Sequence, residues 1–353
     1  ALVNRRKGEK MKKRYEINMT RGPLLPEMLQ FVLPLMLSSM LQIAFNAADL
    51  IVVGRFGRPH SMAAVGANGA MINLIINVLM GLATGGGVLC ARYYGANQTD
   101  KLHRTVSTTL ITGVIGGVIT GALGLALTVP LLRLVGSPDE VLPLATVYLR
   151  IYFLGLPVMA LYNLSAAALR ALGNTRQPLI YLAIAGVLNV IMNLFFVIVV
   201  GIDVAGVAIA TVLSQCVSGF LTVRCLLTSQ ELHVKELHFS GHIFKKMMNI
   251  GIPAGIQGSL FSISNFIIQA SVNSFGAAVI AGNSACVSVE GLLYCPSDAV
   301  MQAATTAVSQ NVGAQEYERS RSVARWSMVL VVVLTGMLTV PAVVFRRQVL
   351  GLY

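Results

Sequence analysis

Charged residues are scarce in this sequence. They make up 11% of its 353 residues, whereas apolar residues make up 55% and the mean hydropathy is +0.73. Because soluble domains carry about 25% charged residues, this chain has too little charge to cover a soluble surface of its size. Its apolar residues also occur in long blocks without dyad alternation, which favours spanning helices over a strand barrel. The sequence therefore predicts an all-α polytopic membrane protein.

Signatures of enzymes and of metal sites are also missing. The glycine run Gly85–Gly87 lacks the Lys-Ser/Thr of a nucleotide-binding loop, and no catalytic grouping of His, Ser and Asp is found. The five cysteines are scattered without a CxxC pair, as is typical of small packing residues. We therefore expect no enzyme and no bound cofactor. Without an ATP site, we expect an ion gradient to supply any energy that the protein uses.

Basic residues outnumber acidic ones, and the formal net charge is +12. No basic stripe with interleaved aromatics is present, so we expect no nucleic-acid partner. A basic run over residues 5–14 precedes the first apolar segment. We interpret it as a cytoplasmic topology anchor, with a lipid- or partner-binding tail as the alternative reading. The apolar segment behind it is too long and too often repeated for a signal peptide.

Blocks of apolar residues long enough to cross a bilayer as helix predict nine spans. Their expected ranges are 27–53, 61–90, 105–132, 141–169, 179–200, 204–227, 248–274, 279–309 and 323–345. Basic residues are about fourfold more frequent in the segments on the N-terminal side than in the opposite loops. This asymmetry predicts a cytoplasmic N-terminus in a multi-pass protein of the cell inner membrane. We expect a monomer whose partners are the lipid bilayer and a small molecule.

The two parts of the chain resemble each other. Pro34 corresponds to Pro253, and Gly95 in "YYGANQTDK" corresponds to Gly313 in "NVGAQEYER". Parallel repeats of this kind are a transporter architecture in which the substrate lies between the halves. Because the second repeat ends after three spans, we expect a truncated chain and about twelve spans in the complete protein. The expected divisions are a basic tail at 1–24, a six-helix bundle at 25–228, a cytoplasmic linker at 229–247 and a partial second bundle at 248–353.

Asp49 is the clearest functional candidate, because an ionisable group inside an apolar span is costly and is functional by default. A carboxyl group there is suited to exchanging a proton or a sodium ion against a cationic substrate. The alternative is an interfacial carboxylate that faces outer water, since Gly54 and Arg55 follow closely.

Several uncharged polar residues accompany Asp49. Asn189 and Asn193 are four residues apart and therefore share one helix face, where they serve either a site or hydrogen bonding between helices. Gln42 and Asn46 precede Asp49 in the first span and are substrate candidates.

The second part of the chain supplies four further candidates. They are Gln257, Asn283, Glu290 and Asp298. Glu290 is expected in mid-span, where a paired or substrate-facing role fits. Asp298 follows Pro296, so capping of a restarted helix is its alternative role. Arg150, between two tyrosines, is interpreted as a snorkelling or carboxylate-paired residue.

Several motifs in order resemble the multidrug-and-toxic-compound-extrusion family over nearly the whole chain after residue 25. They are "YLRI" with "GLP" at 148–157, "RALGNT" at 170–175, Pro178, "LN" at 188–189 and "GVAIAT" at 206–211. The resemblance implies two parallel six-helix bundles in a V shape that open alternately to each side. It also implies a cation site formed by Asp49, Asn189, Asn193 and Thr211, with Asp49 and Asn189 as Na⁺ ligands. Asn193 departs from the family pattern, which has a second carboxylate at that position.

These observations together lead to a functional expectation. We expect secondary active efflux of lipophilic, cationic small molecules by antiport with Na⁺ or H⁺. A lipid-linked saccharide flippase and a narrow-specificity metabolite exporter of the same superfamily are the alternatives. A passive channel and a membrane enzyme fit less well, since rings of charge and catalytic groupings are missing from the sequence.

Overall fold

The computed structural model describes residues 17–57, 61–134, 139–229, 237–273, 277–346 and 348. Within these ranges the chain is almost entirely helical and contains no strand. The long helices are α1 Leu24–Phe56, α2 Ser61–Gly95, α3 Thr99–Leu134, α4 Leu142–Ala171, α5 Arg176–Leu194, α6 Asp203–Leu227, α7 Gly241–Asn273, α8 Ala277–Gly313 and α9 Tyr317–Val344. Each predicted span corresponds to one of these helices, so the helical class is confirmed.

Seven of the described helices are long and apolar enough to cross a bilayer. They are α1, the Ile75–Gly95 part of α2, α3 to α6, and α9. The described parts of α7 and α8 are more polar, because they carry residues such as Gln257 and Glu290. Large apolar side chains are exposed on the outside of the bundle, among them Val199 at 70% and Val332 at 73%. These surfaces suit contact with lipid rather than water.

The predicted linker and the segment around Pro296 both differ from the sequence prediction. Helix α7 begins at Gly241, so the last residues of the predicted linker are helical, while residues 230–236 of that linker lie outside the described part of the chain. Helix α8 passes through Pro296 without a break, so Asp298 does not cap a restarted helix. Proline is tolerated inside such helices because neighbouring helices satisfy the freed backbone groups.

The two repeats pack on each other in a reciprocal way. Helix α1 of the first repeat packs on α8 of the second, and α2 packs on α7, which is the equivalent pair. Glycines allow the second contact, since Gly81 faces the backbone of Gly251 and Gly255. This exchange of equivalent partners is the arrangement expected of parallel repeats.

A short segment before α1, Ile17–Gly22, closes one end of the bundle and is called the N-terminal strap below. The amide of Ile17 donates to Gly173 O at 3.1 Å, and the amide of Met19 donates to Gln310 Oε1 at 3.1 Å. Gly173 has a φ of 87°, and a Cβ there would collide with Ile17 O, so glycine is required. The strap therefore joins the first repeat to the second.

Candidate functional site

A cavity of about 560 Å³ lies mainly among the helices of the first repeat. Helices α1, α2, α4, α5 and α6 supply most of its wall, and Asp298 and Gln302 of α8 close one side. Its volume falls in the range of small-molecule sites, which are commonly 300–1,000 Å³. The polar groups on its wall form two separate sets, one around Asp49 and one around Arg170.

The set around Asp49 is a connected hydrogen-bond network from three helices. Asn193 Nδ2 donates to Asp49 Oδ1 at 2.5 Å and to Asn189 Oδ1 at 3.3 Å. Asn189 Nδ2 donates to Thr211 Oγ1 at 3.3 Å, and Thr211 Oγ1 is 3.4 Å from Asp49 Oδ2. Asp49 is only 8% exposed although it borders the cavity. The structure thus brings the four residues predicted for the cation site into mutual contact.

Local features of α1 and α5 place these side chains. Asn189 and Asn193 are four residues apart, so both face α1. Gly186, one turn earlier, lies against the ring of Phe45, and a Cβ at Gly186 would collide with that ring. Just after Asn193 the helix widens into a π-helical segment, Phe195–Val200, which ends at Gly201 with a φ of 75°. Irregular helix of this type is frequent at functional sites.

One acceptor in this network has no partner. Among the described residues, no donor lies within hydrogen-bond distance of the buried Asn193 Oδ1. The network therefore places a carboxylate, two amide side chains and a hydroxyl in mutual contact, with a single negative charge from Asp49. Oxygen ligands of this kind suit a hard monovalent cation, and the carboxylate alone suits a proton.

An aromatic wall lies beside this network. Tyr148 and Tyr152 of α4 both line the cavity, with ring centroids 6.4 Å apart and planes inclined by 20°. Tyr148 is within electrostatic range of Asp49. Aromatic faces next to a carboxylate provide favourable contacts for an organic cation.

A comparison with protein families identifies this architecture. The MatE family model matches residues 34–195 and 253–353, which is most of the chain. The chain belongs to the MATE family. Its spanning helices therefore make it a multi-pass membrane protein, and its resemblance to the family in the sequence analysis is confirmed.

Individual proteins similar to this MATE chain span more residues than it does. The probable multidrug resistance protein YoeA of Bacillus subtilis is 28% identical over 92% of this chain and 72% of its own length. The probable multidrug resistance protein YpnP of the same organism is 28% identical over 83% of this chain, which spans 66% of YpnP. A structure described as the outward-facing conformation of a multidrug resistance MATE family transporter of the MOP superfamily has a TM-score of 0.87 at 23% identity. That structure is matched over 95% of this MATE chain and 75% of its own, and it shows the shared fold.

The remaining predicted residues divide into two groups. Gln42, Asn46 and Asp298 line the cavity of this MATE chain. Gln257, Asn283 and Glu290 are not among the described residues that line it, and Gln257 and Glu290 are exposed. Eight residues separate Glu290 from Asp298, which turns Glu290 by about 80° around α8 and moves it about 12 Å along the helix.

Some cavity residues were not predicted from the sequence as site residues. They are Tyr148, Tyr152, Arg170, Thr175 and Gln302. Arg170 and Thr175 belong to the "RALGNT" segment, which sequence reasoning used only as a family signature. The i, i+4 spacing of the two tyrosines was the available signal for the aromatic wall. Arg150, which lies between them in sequence, is exposed and is not among the lining residues.

Proposed function

We propose that this MATE chain forms part of a secondary transporter that exports lipophilic, cationic small molecules in exchange for Na⁺ or H⁺. The observation that carries this proposal is the buried carboxylate of Asp49 at the cavity wall, held by Asn193 and Thr211. Ionisable groups buried at the interface between transporter repeats are the usual sites of coupling ions.

The proposed exchange of ion for substrate depends on the single negative charge of Asp49. When Asp49 binds a proton or a sodium ion, its charge is neutralised and an organic cation in the cavity loses its attraction. When the coupling ion leaves, the carboxylate again attracts a cation toward the aromatic wall of Tyr148 and Tyr152. Opposite occupancy of the cavity by ion and substrate is the requirement for antiport.

The positions of basic residues support a cytoplasmic N-terminus. Residues that lie near the end closed by the N-terminal strap include Arg92, Lys101, Arg104, Arg224, Lys245 and Lys246. An excess of Lys and Arg on one side marks the cytoplasmic face of a polytopic protein. With this orientation, the strap lies at the cytoplasmic end of the bundle.

The test is efflux of the fluorescent cation rhodamine 6G from cells that express the protein, under imposed Na⁺ or pH gradients. We expect Asp49→Asn to lower gradient-driven efflux by roughly tenfold or more, because loss of a charge-assisted interaction costs about 1.5–3 kcal/mol. Asp49→Glu should retain part of the ion dependence. Asp100→Asn, a change of an exposed carboxylate in the first turn of α3, should leave efflux unchanged.

Two results would count against the proposal in different ways. Intact efflux with intact ion dependence in Asp49→Asn would remove Asp49 from the coupling site. No efflux from well-expressed wild-type protein would argue against drug export. A narrow-specificity metabolite exporter or a lipid-linked saccharide flippase would then be favoured.

A further inference from the structure

The second set of polar groups on the cavity wall lies far from Asp49. Arg170 and Thr175 come from the end of α4 and the loop after it, and Asp298 and Gln302 face them from α8. Arg170 is 22 residues beyond Tyr148 on α4, which corresponds to about 33 Å along the helix. The cation site and this second set therefore occupy different ends of one cavity.

Arg170 presents a guanidinium group that has no acceptor among the residues that the structure describes. The structure gives this side chain no hydrogen bond and no ion pair with any described residue. Its electrostatic neighbours are Tyr162 and Asp298, but Asp298 is not within ion-pair distance. Guanidinium groups carry five N–H donors in a fork that matches a carboxylate or a phosphate. A half-buried group of this kind is therefore available to a ligand.

Thr175 adds a second group without a partner. Its side chain is 1% exposed and lines the same cavity, and its hydroxyl has no hydrogen-bond partner among the described residues. Buried hydroxyl groups are normally hydrogen-bonded, because an unsatisfied one costs about 1–3 kcal/mol. Arg170 and Thr175 therefore both offer unused donors at this end of the cavity.

The opposite wall has the opposite charge. Asp298 Oδ2 accepts a hydrogen bond from Gln302 Nε2 at 2.8 Å, which holds the carboxylate on α8. An anionic group between the two walls is therefore attracted to Arg170 and repelled by Asp298. A ligand that carries a cationic group as well as an anionic one satisfies both walls.

We propose that Arg170 and Thr175 form an anion subsite at this end of the cavity, which binds the carboxylate of a zwitterionic ligand. This inference rests on the proposed export function, which it refines by naming the residues that bind an anionic group. Arg170 and Thr175 bind the carboxylate, and Asp298 faces the cationic part of the same molecule.

The test compares rhodamine B, which has a free carboxylate, with its ethyl ester, which lacks that charge. Binding of both dyes to the purified protein is measured by fluorescence anisotropy, so no ion gradient is needed. We expect Arg170→Gln to raise the Kd of rhodamine B by about tenfold or more, in line with a lost charge-assisted hydrogen bond. The Kd of the ester should change by less than about twofold, as a shift of that size is under 0.5 kcal/mol.

Further variants separate charge from packing. Arg170→Lys should recover part of the affinity for rhodamine B, and Thr175→Val should weaken it by a few-fold while sparing the ester. Arg150→Gln removes an exposed arginine from the same helix outside the cavity, and both dyes should bind it as they bind wild type.

The inference is overturned if Arg170→Gln weakens both dyes equally, since that would indicate a structural role. Failure of wild-type protein to bind rhodamine B would overturn it as well. Neither result depends on efflux under a gradient. If the wild-type protein shows no rhodamine 6G efflux while Arg170→Gln still weakens binding of rhodamine B and not of its ester, the proposed export function is wrong and the anion subsite is supported.

Discussion

Thr211 contacts both Asn189 and Asp49 of the proposed cation site through one hydroxyl group. Its oxygen accepts a hydrogen bond from Asn189 and lies 3.4 Å from Asp49 Oδ2, while Val207 O is nearer at 2.9 Å. Because a hydroxyl has one proton, the bond to Val207 leaves its lone pairs directed toward the site. This geometry supports the proposal that Thr211 is a cation ligand.

Replacing this hydroxyl by a methyl group tests that role. We expect Thr211→Val to raise the half-saturating concentration of the coupling ion by about three- to tenfold, because one ligand oxygen of modest strength is lost. The measurement is rhodamine 6G efflux as a function of external Na⁺ or pH.

Thr222→Val is the matched control on the same helix. Thr222 is fully buried and donates to Ser218 O at 2.6 Å, and it is not among the described residues that line the cavity. Equal effects of the two substitutions would mean that Thr211 only packs.

Residues of the cation site differ in how far sequence could predict them. Asp49 could be singled out because a carboxylate in an apolar span is costly wherever it points. The contact between Asp49 and Asn193 could not be predicted, because the two residues are 144 positions apart and meet only when α1 packs on α5. Arg170 was not predicted as a site residue, because an arginine near a helix end ordinarily lies on the surface.

One side chain of α9, Arg319, makes several hydrogen bonds to the N-terminal strap. Arg319 Nε donates to Met19 O at 2.9 Å, Nη1 to Gly22 O at 3.0 Å and Nη2 to Arg21 O at 3.0 Å. Its Nη2 also lies 3.3 Å from Glu27 Oε2. A guanidinium group that satisfies three backbone carbonyls fixes the path of the strap before α1.

Limited trypsin digestion tests whether the hydrogen bonds of Arg319 keep the strap in place. We expect Arg319→Gln to speed cleavage after Arg21 by about tenfold, because local release exposes the peptide bond to the protease. Mass spectrometry of the fragment that begins at Gly22 gives the rate.

Arg321→Gln serves as the comparison, since that arginine pairs with Glu318 on the same helix while both side chains are largely exposed, at 70% and 85%. Its cleavage rate after Arg21 should match wild type. An unchanged rate in Arg319→Gln would show that the other contacts of the strap, such as those with Gly173 and Gln310, are sufficient to hold it.

Helices could be predicted from the sequence better than their ends. The apolar blocks correspond to α1–α9, but α2 and α8 continue to Gly95 and Gly313, beyond the predicted ends at 90 and 309. Helical hydrogen bonding does not stop where the hydrocarbon core ends, so hydropathy marks the span and not the whole helix. In α8 the residues around Pro296 suggested a break, which neighbouring helices prevent.

Across the whole molecule, the ends of α2 and α8 meet in a reciprocal contact. A Cβ at Gly95 would collide with the backbone oxygen of Gln310, and a Cβ at Gly313 would collide with that of Arg92. Gly95 and Gly313 are equivalent positions of the two repeats. The halves are therefore joined by two related glycine contacts at the end that the strap closes.

Adding a methyl group at either glycine tests this contact. We expect Gly95→Ala and Gly313→Ala each to lower the free energy of unfolding by about 1–3 kcal/mol, because backbone atoms have little freedom to move away from the added methyl group. Thermal unfolding of the purified protein in detergent measures the effect as a lower midpoint.

Gly336→Ala provides the control within α9, because a Cβ at Gly336 meets nothing within 4 Å. That substitution should be neutral or stabilising by up to about 1 kcal/mol. Wild-type midpoints in both Gly95→Ala and Gly313→Ala would contradict the close approach of the two halves.

Sequence by itself determined the environment of the chain, its helical class, its repeat and its most exceptional carboxylate. Composition, apolar block length and the cost of charge in lipid act locally, so they can be evaluated one segment at a time. Tertiary structure decided which polar groups meet, namely Asp49 with Asn193, Arg170 with the cavity, and the strap with Gln310 and Arg319. These contacts join residues far apart in the chain, and only the packing of α1, α5, α8 and α9 brings them within hydrogen-bond distance.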